Sequence, residues 1–107
     1  MKMDIQNIFE NIPAELKEEF FEEIISNNNF KLERIVSEGH SSPDEFWYDQ
    51  DKNEFVILLT GSATIEFENE LSIDLKPGDY IIIPEHKKHR ISKTDAHEKT
   101  FWLALHY

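Results

Sequence analysis

The sequence has no cysteine, three glycines and four prolines, and its 107 residues include 11 basic against 22 acidic side chains. Without cysteine, no disulfide framework, thiolate zinc site or thiol nucleophile can form, which fits a reducing compartment. No run approaches the roughly 20 apolar residues that a membrane span needs. Met1 to Glu10 also lacks the cationic start and apolar core of a secretory signal. A soluble cytoplasmic protein with no membrane partner is expected. The formal charge of −11 repels phosphate backbones and argues against nucleic acid as a partner. The one basic stretch, Lys87, Lys88 and Arg90, lies among His86 and His89 and reads as a solvated turn.

What is present suits one domain. Hydrophobic residues make up 39% of the chain, enough for a core without covalent staples. Ile12 to Ser26 reads as a helix: Pro13 sits in the first turn, acidic residues cluster near the start, and Leu16, Phe20 and Ile24 recur every four residues beside Phe21 and Ile25. Asn27-Asn28-Asn29 ends it. Residues 1–29 are therefore expected to form a helical segment packed on the outside of a β domain, residues 30–107, or on a second subunit.

From Phe30 the period changes to two. Phe30 and Leu32 alternate with charged residues, as do Ala63, Ile65 and Phe67 and then Leu71, Ile73 and Leu75. Phe55 to Thr60 and Tyr80 to Ile83 are apolar runs, and Thr100 to Tyr107 closes the chain as a strand. Glu68-Asn69-Glu70 reads as a hairpin connection and Lys76-Pro77-Gly78-Asp79 as a turn, with Pro presetting one backbone angle and Gly supplying a positive one. Short strands this closely spaced argue for an antiparallel sandwich or barrel.

Two spaced patterns stand out. Gly61 lies seven residues after Glu54; Pro84 lies six after Gly78, and His89 five after Pro84. With the stretch Leu75 to Pro84, these resemble the two motifs of the cupin superfamily, a resemblance that covers residues 30 to 107. It implies an all-β jelly-roll barrel of the small single-domain type, and the α-helix read from spacing over Ile12 to Ser26 is expected on its outside. The family's usual metal site is three histidines and a glutamate. Glu54 and His89 carry over directly; Tyr48 and Gln50 stand where the first motif has its histidines, His86 stands where the second has glycine, and the opening glycine is displaced to Gly39.

The resemblance implies one divalent metal, zinc, iron, nickel or manganese, with Gln50, Glu54, His86 and His89 as candidate ligands. Two imidazoles with one carboxylate would make a facial triad with open positions. Tyr48, Asp49, Trp102 and His106 are candidate pocket residues: His106 shares a strand face with Trp102, and Asp49 could ligate or orient a ligand. Each has a plainer reading, Glu54 as a solvated strand end, His89 as a turn histidine and His106 as a hydrogen-bonded structural residue. Three functions follow for the expected small-molecule ligand: metal-dependent oxidation or isomerisation, binding or sensing without chemistry, and metal-free acid–base isomerisation or epimerisation. At a barrel mouth, Lys87, Lys88 and Arg90 could draw in an acidic ligand. The last strand is apolar on both faces, so its second face is expected to be covered by the N-terminal segment or a partner subunit, and because related barrels often dimerise through sheet contacts a homodimer is expected.

Overall fold

The computed structural model describes residues 3–69 and 71–107; Met1, Lys2 and Glu70 lie outside the described residues. Among the described residues, eight strands carry the fold: β1 (Phe20–Ser26), β2 (Lys31–Ser37), β3 (Glu54–Leu58), β4 (Ala63–Phe67), β5 (Ser72–Leu75), β6 (Tyr80–Ile83), β7 (His89–Thr94) and β8 (Thr100–His106). They form a five-stranded sheet in the order β1-β2-β8-β3-β6 and a three-stranded sheet in the order β5-β4-β7. Every pairing is antiparallel. Val56, Leu58, Ile65, Phe67, Ile83, Trp102 and Ala104, drawn from both sheets, make one core between them. Burial of side chains such as Leu58 and Ile65, at 0% and 1% exposed, contributes on the order of 1.5–3 kcal/mol each.

The period-two runs became strands because alternation gives each one a face for this core. Ala63, Ile65 and Phe67 are buried, and the residues between them are half-exposed. β4 and β5 pair, but the expected hairpin residue Glu70 falls outside the described residues. Gly78, at φ +94°, supplies the positive angle of the turn before β6.

The expected helix over Ile12–Ser26 does not form. Ile12–Glu19 is irregular with bends, and Phe20–Ser26 is β1, paired along its length with β2. The four-residue spacing of Phe20 and Ile24 competes with a run of aromatic and β-branched residues suited to a strand. Pairing decides: Phe20 aligns with Val36 and Phe21 with Ile35, with a bulge between Glu23 and Ile25. The boundary expected near residue 29 falls inside the connection between β1 and β2, where Asn27 N–H donates to the Phe30 carbonyl at 3.0 Å. Residues 20–29 are thus continuous with the five-stranded sheet.

The irregular N-terminal segment covers the outer face of that sheet. Buried Arg34 on β2 donates to the carbonyls of Ile8 at 3.0 Å, Glu10 at 2.5 Å and Asn11 at 3.3 Å. It also pairs with Glu22 at 2.8 Å. The Phe9 ring stands edge-on to Phe101, with 5.2 Å between centroids. At Phe101 the second apolar face of β8 is therefore covered within the chain by this strap. Arg90, read in sequence as part of a solvated turn, belongs to β7; it contacts Glu66 at 3.4 Å and the Ser42 carbonyl at 2.9 Å.

Candidate active site

Where the five-stranded sheet extends past the three-stranded one, a cavity of about 940 Å³ opens between them. On β3 the inward positions are Glu54, Val56 and Leu58, all buried. Register sets Glu54 opposite His106 of β8 and opposite Ile83 of β6. On β2, Glu33 lies opposite Ala104 and Ile35 opposite Trp102, so Glu33 shares the inner face. From the other sheet, β7 begins with His89, whose backbone exchanges hydrogen bonds with Tyr48 at 2.7 and 3.1 Å. That bridge lays the Tyr48 ring against the imidazole at a centroid distance of 5.5 Å.

Tyr48, Asp49, Gln50, Glu54, His86, His89, Trp102 and His106 all line this cavity. They do not form one cluster. His89 Nε2 lies 3.4 Å from Glu54 Oε1, and His106 Nε2 lies 2.9 Å from Glu33 Oε1 and 4.0 Å from Glu54 Oε2. These four form two carboxylate–imidazole pairs side by side. His86 stands apart at the rim: its side chain is 65% exposed and its Nδ1 meets Asp49 Oδ1 at 2.8 Å. Its φ of 62° explains why a glycine suits that position.

The protonation of the inner pair follows from its contacts. His89 Nδ1–H donates to the Lys87 carbonyl at 2.9 Å, which leaves Nε2 facing Glu54. Burial works against the imidazolium, but Glu54 and the Lys87 carbonyl outweigh it and hold the His89 pKa above its ordinary value. Glu33 is shifted the other way. Burial raises it, yet His106 and Lys31 prevail and keep its carboxyl below the usual range. The Tyr48 phenol is pushed up by burial and by Glu19, Glu54 and Glu33.

Sequence reasoning missed Glu33 and Glu19. Glu33 was one charged residue in an alternating run; its spacing of two from Ile35 was the available signal. Glu19 lay in the expected helix. Here it lines the cavity and accepts from Ser37 Oγ, which in turn accepts from Trp102 Nε1 at 3.3 Å. Burial raises its pKa, against the opposing effects of Ser37 and His40.

The sequence profile of the cupin domain matches residues 33–106. This chain belongs to the cupin family. Its structure is similar to that of a candidate mannose-6-phosphate isomerase of Ralstonia eutropha JMP134, with a TM-score of 0.91, 38% identity and 96% of each chain covered. A cupin superfamily protein of Desulfitobacterium hafniense DCB-2 shares the fold at 21% identity and a TM-score of 0.73, over 89% of this chain and 82% of that one. The polyketide cyclase RemF of Streptomyces resistomycificus does so at 20% identity and a TM-score of 0.70, over 84% of this chain and 65% of that one. No curated protein matches the chain.

The fold family implies a divalent metal, so the donors of this cupin need testing against one. Among the described residues, no group of three or more His, Asp or Glu side chains is arranged to hold a metal ion. The two motif histidine positions carry a phenol and an amide, and His86 is turned to Asp49 at the rim. Glu54 and His89, the two positions that retain ligating groups, face each other. The donor set as placed does not fit the expected metal.

Proposed function

We propose that this cupin moves a proton on a small carbonyl compound, an isomerisation or epimerisation that needs no metal. The Glu54–His89 pair carries the reading. Both residues are buried in the cavity wall, at 9% and 4% exposed. Their reacting atoms are 3.4 Å apart, and the Lys87 carbonyl commits the other ring nitrogen.

The raised pKa of His89 favours imidazolium beside carboxylate. In that state Glu54 takes a proton from the carbon next to a carbonyl while His89 Nε2–H protonates the carbonyl oxygen, giving an enediol. Glu54 then returns its proton to the neighbouring carbon and His89 regains one from the second hydroxyl. Atoms and charges balance, and the dyad ends as it began. General acid and base catalysis of this kind contributes about 10²–10⁴-fold per group. The apolar wall of Val56, Ile65, Ile83 and Ile91 would exclude water from the enediol. The isomerase name of the Ralstonia protein agrees with this class of reaction.

The test is deuterium incorporation from D2O into a panel of aldoses and ketoses, followed by proton NMR with a chelator present. Exchange by the wild type, lost in Glu54→Gln and His89→Asn, is the expected result. Exchange that disappears in chelator and returns with one added metal would restore a metal-dependent reading. Binding of a sugar without exchange would make the protein a binding module.

A further inference from the structure

We infer that the cavity discriminates by charge: it takes an uncharged or positively charged hydroxylated molecule and rejects a phosphorylated one. This rests on the proposed use of the cavity as the ligand site. Among the described residues, its lining contains six carboxylates, Glu19, Glu23, Glu33, Asp49, Asp51 and Glu54, against two lysines, Lys31 and Lys52. Lys31 is engaged by Glu33 at 3.7 Å. Not all six carboxylates are bare charges. His89 offsets Glu54, His106 offsets Glu33, and His86 at the rim offsets Asp49 when these imidazoles are protonated. Glu19, Glu23 and Asp51 still face the two lysines, so six carboxylates outnumber five cations even with all three lining histidines counted as charged.

Among the described residues, neither an arginine nor a helix N-terminus is at hand to seat a phosphate. A phosphomonoester carries about −1.5 to −2 charges and is held by arginine forks, backbone N–H nests or helix N-termini. No arginine lines the cavity, and the described residues contain no helix. The basic stretch that could have drawn in an acidic ligand is spent elsewhere. Lys88 pairs with Glu68 at 3.4 Å, Arg90 with Glu66 at 3.4 Å, and Lys87 lies over the Phe67 ring at 5.8 Å. The Tyr48 phenol reports the same field from inside, since three carboxylates add to burial in raising its pKa. The chain as a whole, at −11, repels an approaching anion as well.

The absence of cysteine gives a direct assay. Gln50→Cys places a single thiol in the cavity wall, and Ser26→Cys is a second reporter should the first fail to fold. Each thiol is reacted with a cationic and an anionic methanethiosulfonate, and the rate ratio is compared with that of a free thiol. The cationic reagent is expected to gain about tenfold over the anionic one, a preference that shrinks in about 0.5 M salt and when Glu23→Gln and Asp51→Asn are added. A hexose should also bind more tightly than the same hexose carrying a phosphate. An anionic reagent that reacts as fast as the cationic one, or a phosphorylated sugar that binds as tightly as its parent, overturns the inference. The rate ratio does not depend on turnover. Proton exchange without charge preference therefore refutes this inference alone, and charge preference without exchange refutes only the acid–base reading.

Discussion

His89 shows how one contact sets chemistry and stability together. Its pKa is higher folded than unfolded, so its pairing with Glu54 stabilises the fold fully below the unfolded value of about 6.5. That contribution fades as pH rises through the higher folded value. Urea midpoints between about pH 6 and 9 should fall for the wild type, and the His89→Asn variant should lose this part of the slope. Equal slopes in the two proteins would refute the pairing. In catalysis, Glu54→Gln keeps the shape of the side chain but cannot accept a proton. Exchange should drop by about 100-fold or more while sugar binding persists. His86→Ala removes only a rim residue and should leave exchange within a few-fold of wild type; a loss as large as that of His89→Asn would bring His86 into the machinery.

At the scale of single elements, the approach of the strands fixes particular side chains. Gly61 has φ +79°, and a Cβ there would lie 2.2 Å from Thr100 Oγ1 and 2.9 Å from its Cα. Thr100 is fully buried in β8 and cannot move aside. Gly61→Ala should therefore cost about 2 kcal/mol or more, read from chemical denaturation. A stability within about 0.5 kcal/mol of wild type would mean the two segments separate easily. The N-terminal strap depends in the same way on Arg34, whose guanidinium meets three of its carbonyls. Arg34→Gln should expose residues 3–19 to protease while the barrel stays folded, as followed by mass spectrometry of the fragments. Unchanged protection would show that Phe9 against Phe101 holds the strap unaided.

In the whole molecule, the two sheets differ in width, and that difference makes the cavity. The inner face of β1 and β2 projects beyond the three-stranded sheet, so Phe21, Glu23 and Glu33 line open space. β1 is also an edge strand with Phe21, Ile24 and Ile25 about half exposed. Among the described residues, no helix is long and apolar enough to cross a membrane. A homodimer remains our proposal for this edge, since an exposed apolar edge strand favours pairing unless blocked. Light scattering should give twice the chain mass for the wild type and the monomer mass for Ile25→Lys; a monomeric wild type would end the idea.

The sequence alone determined the strands whose alternation was plain, the turn at Pro77-Gly78, and the places of Glu54 and His89, because these depend on local period and motif spacing. It also brought Tyr48, Gln50, Trp102 and His106 under notice, and all four line the cavity. The first strand was not legible, because Phe20, Phe21, Ile24 and Ile25 satisfy helical and extended periods alike. Only pairing with β2, more than ten residues away at Phe20 and Val36, chose between them. Nor could spacing show that Glu33 partners His106 across 73 residues, or that His86 turns outward to Asp49. Those outcomes depend on sheet register and backbone angle, which tertiary packing decides once the two sheets close on a common core.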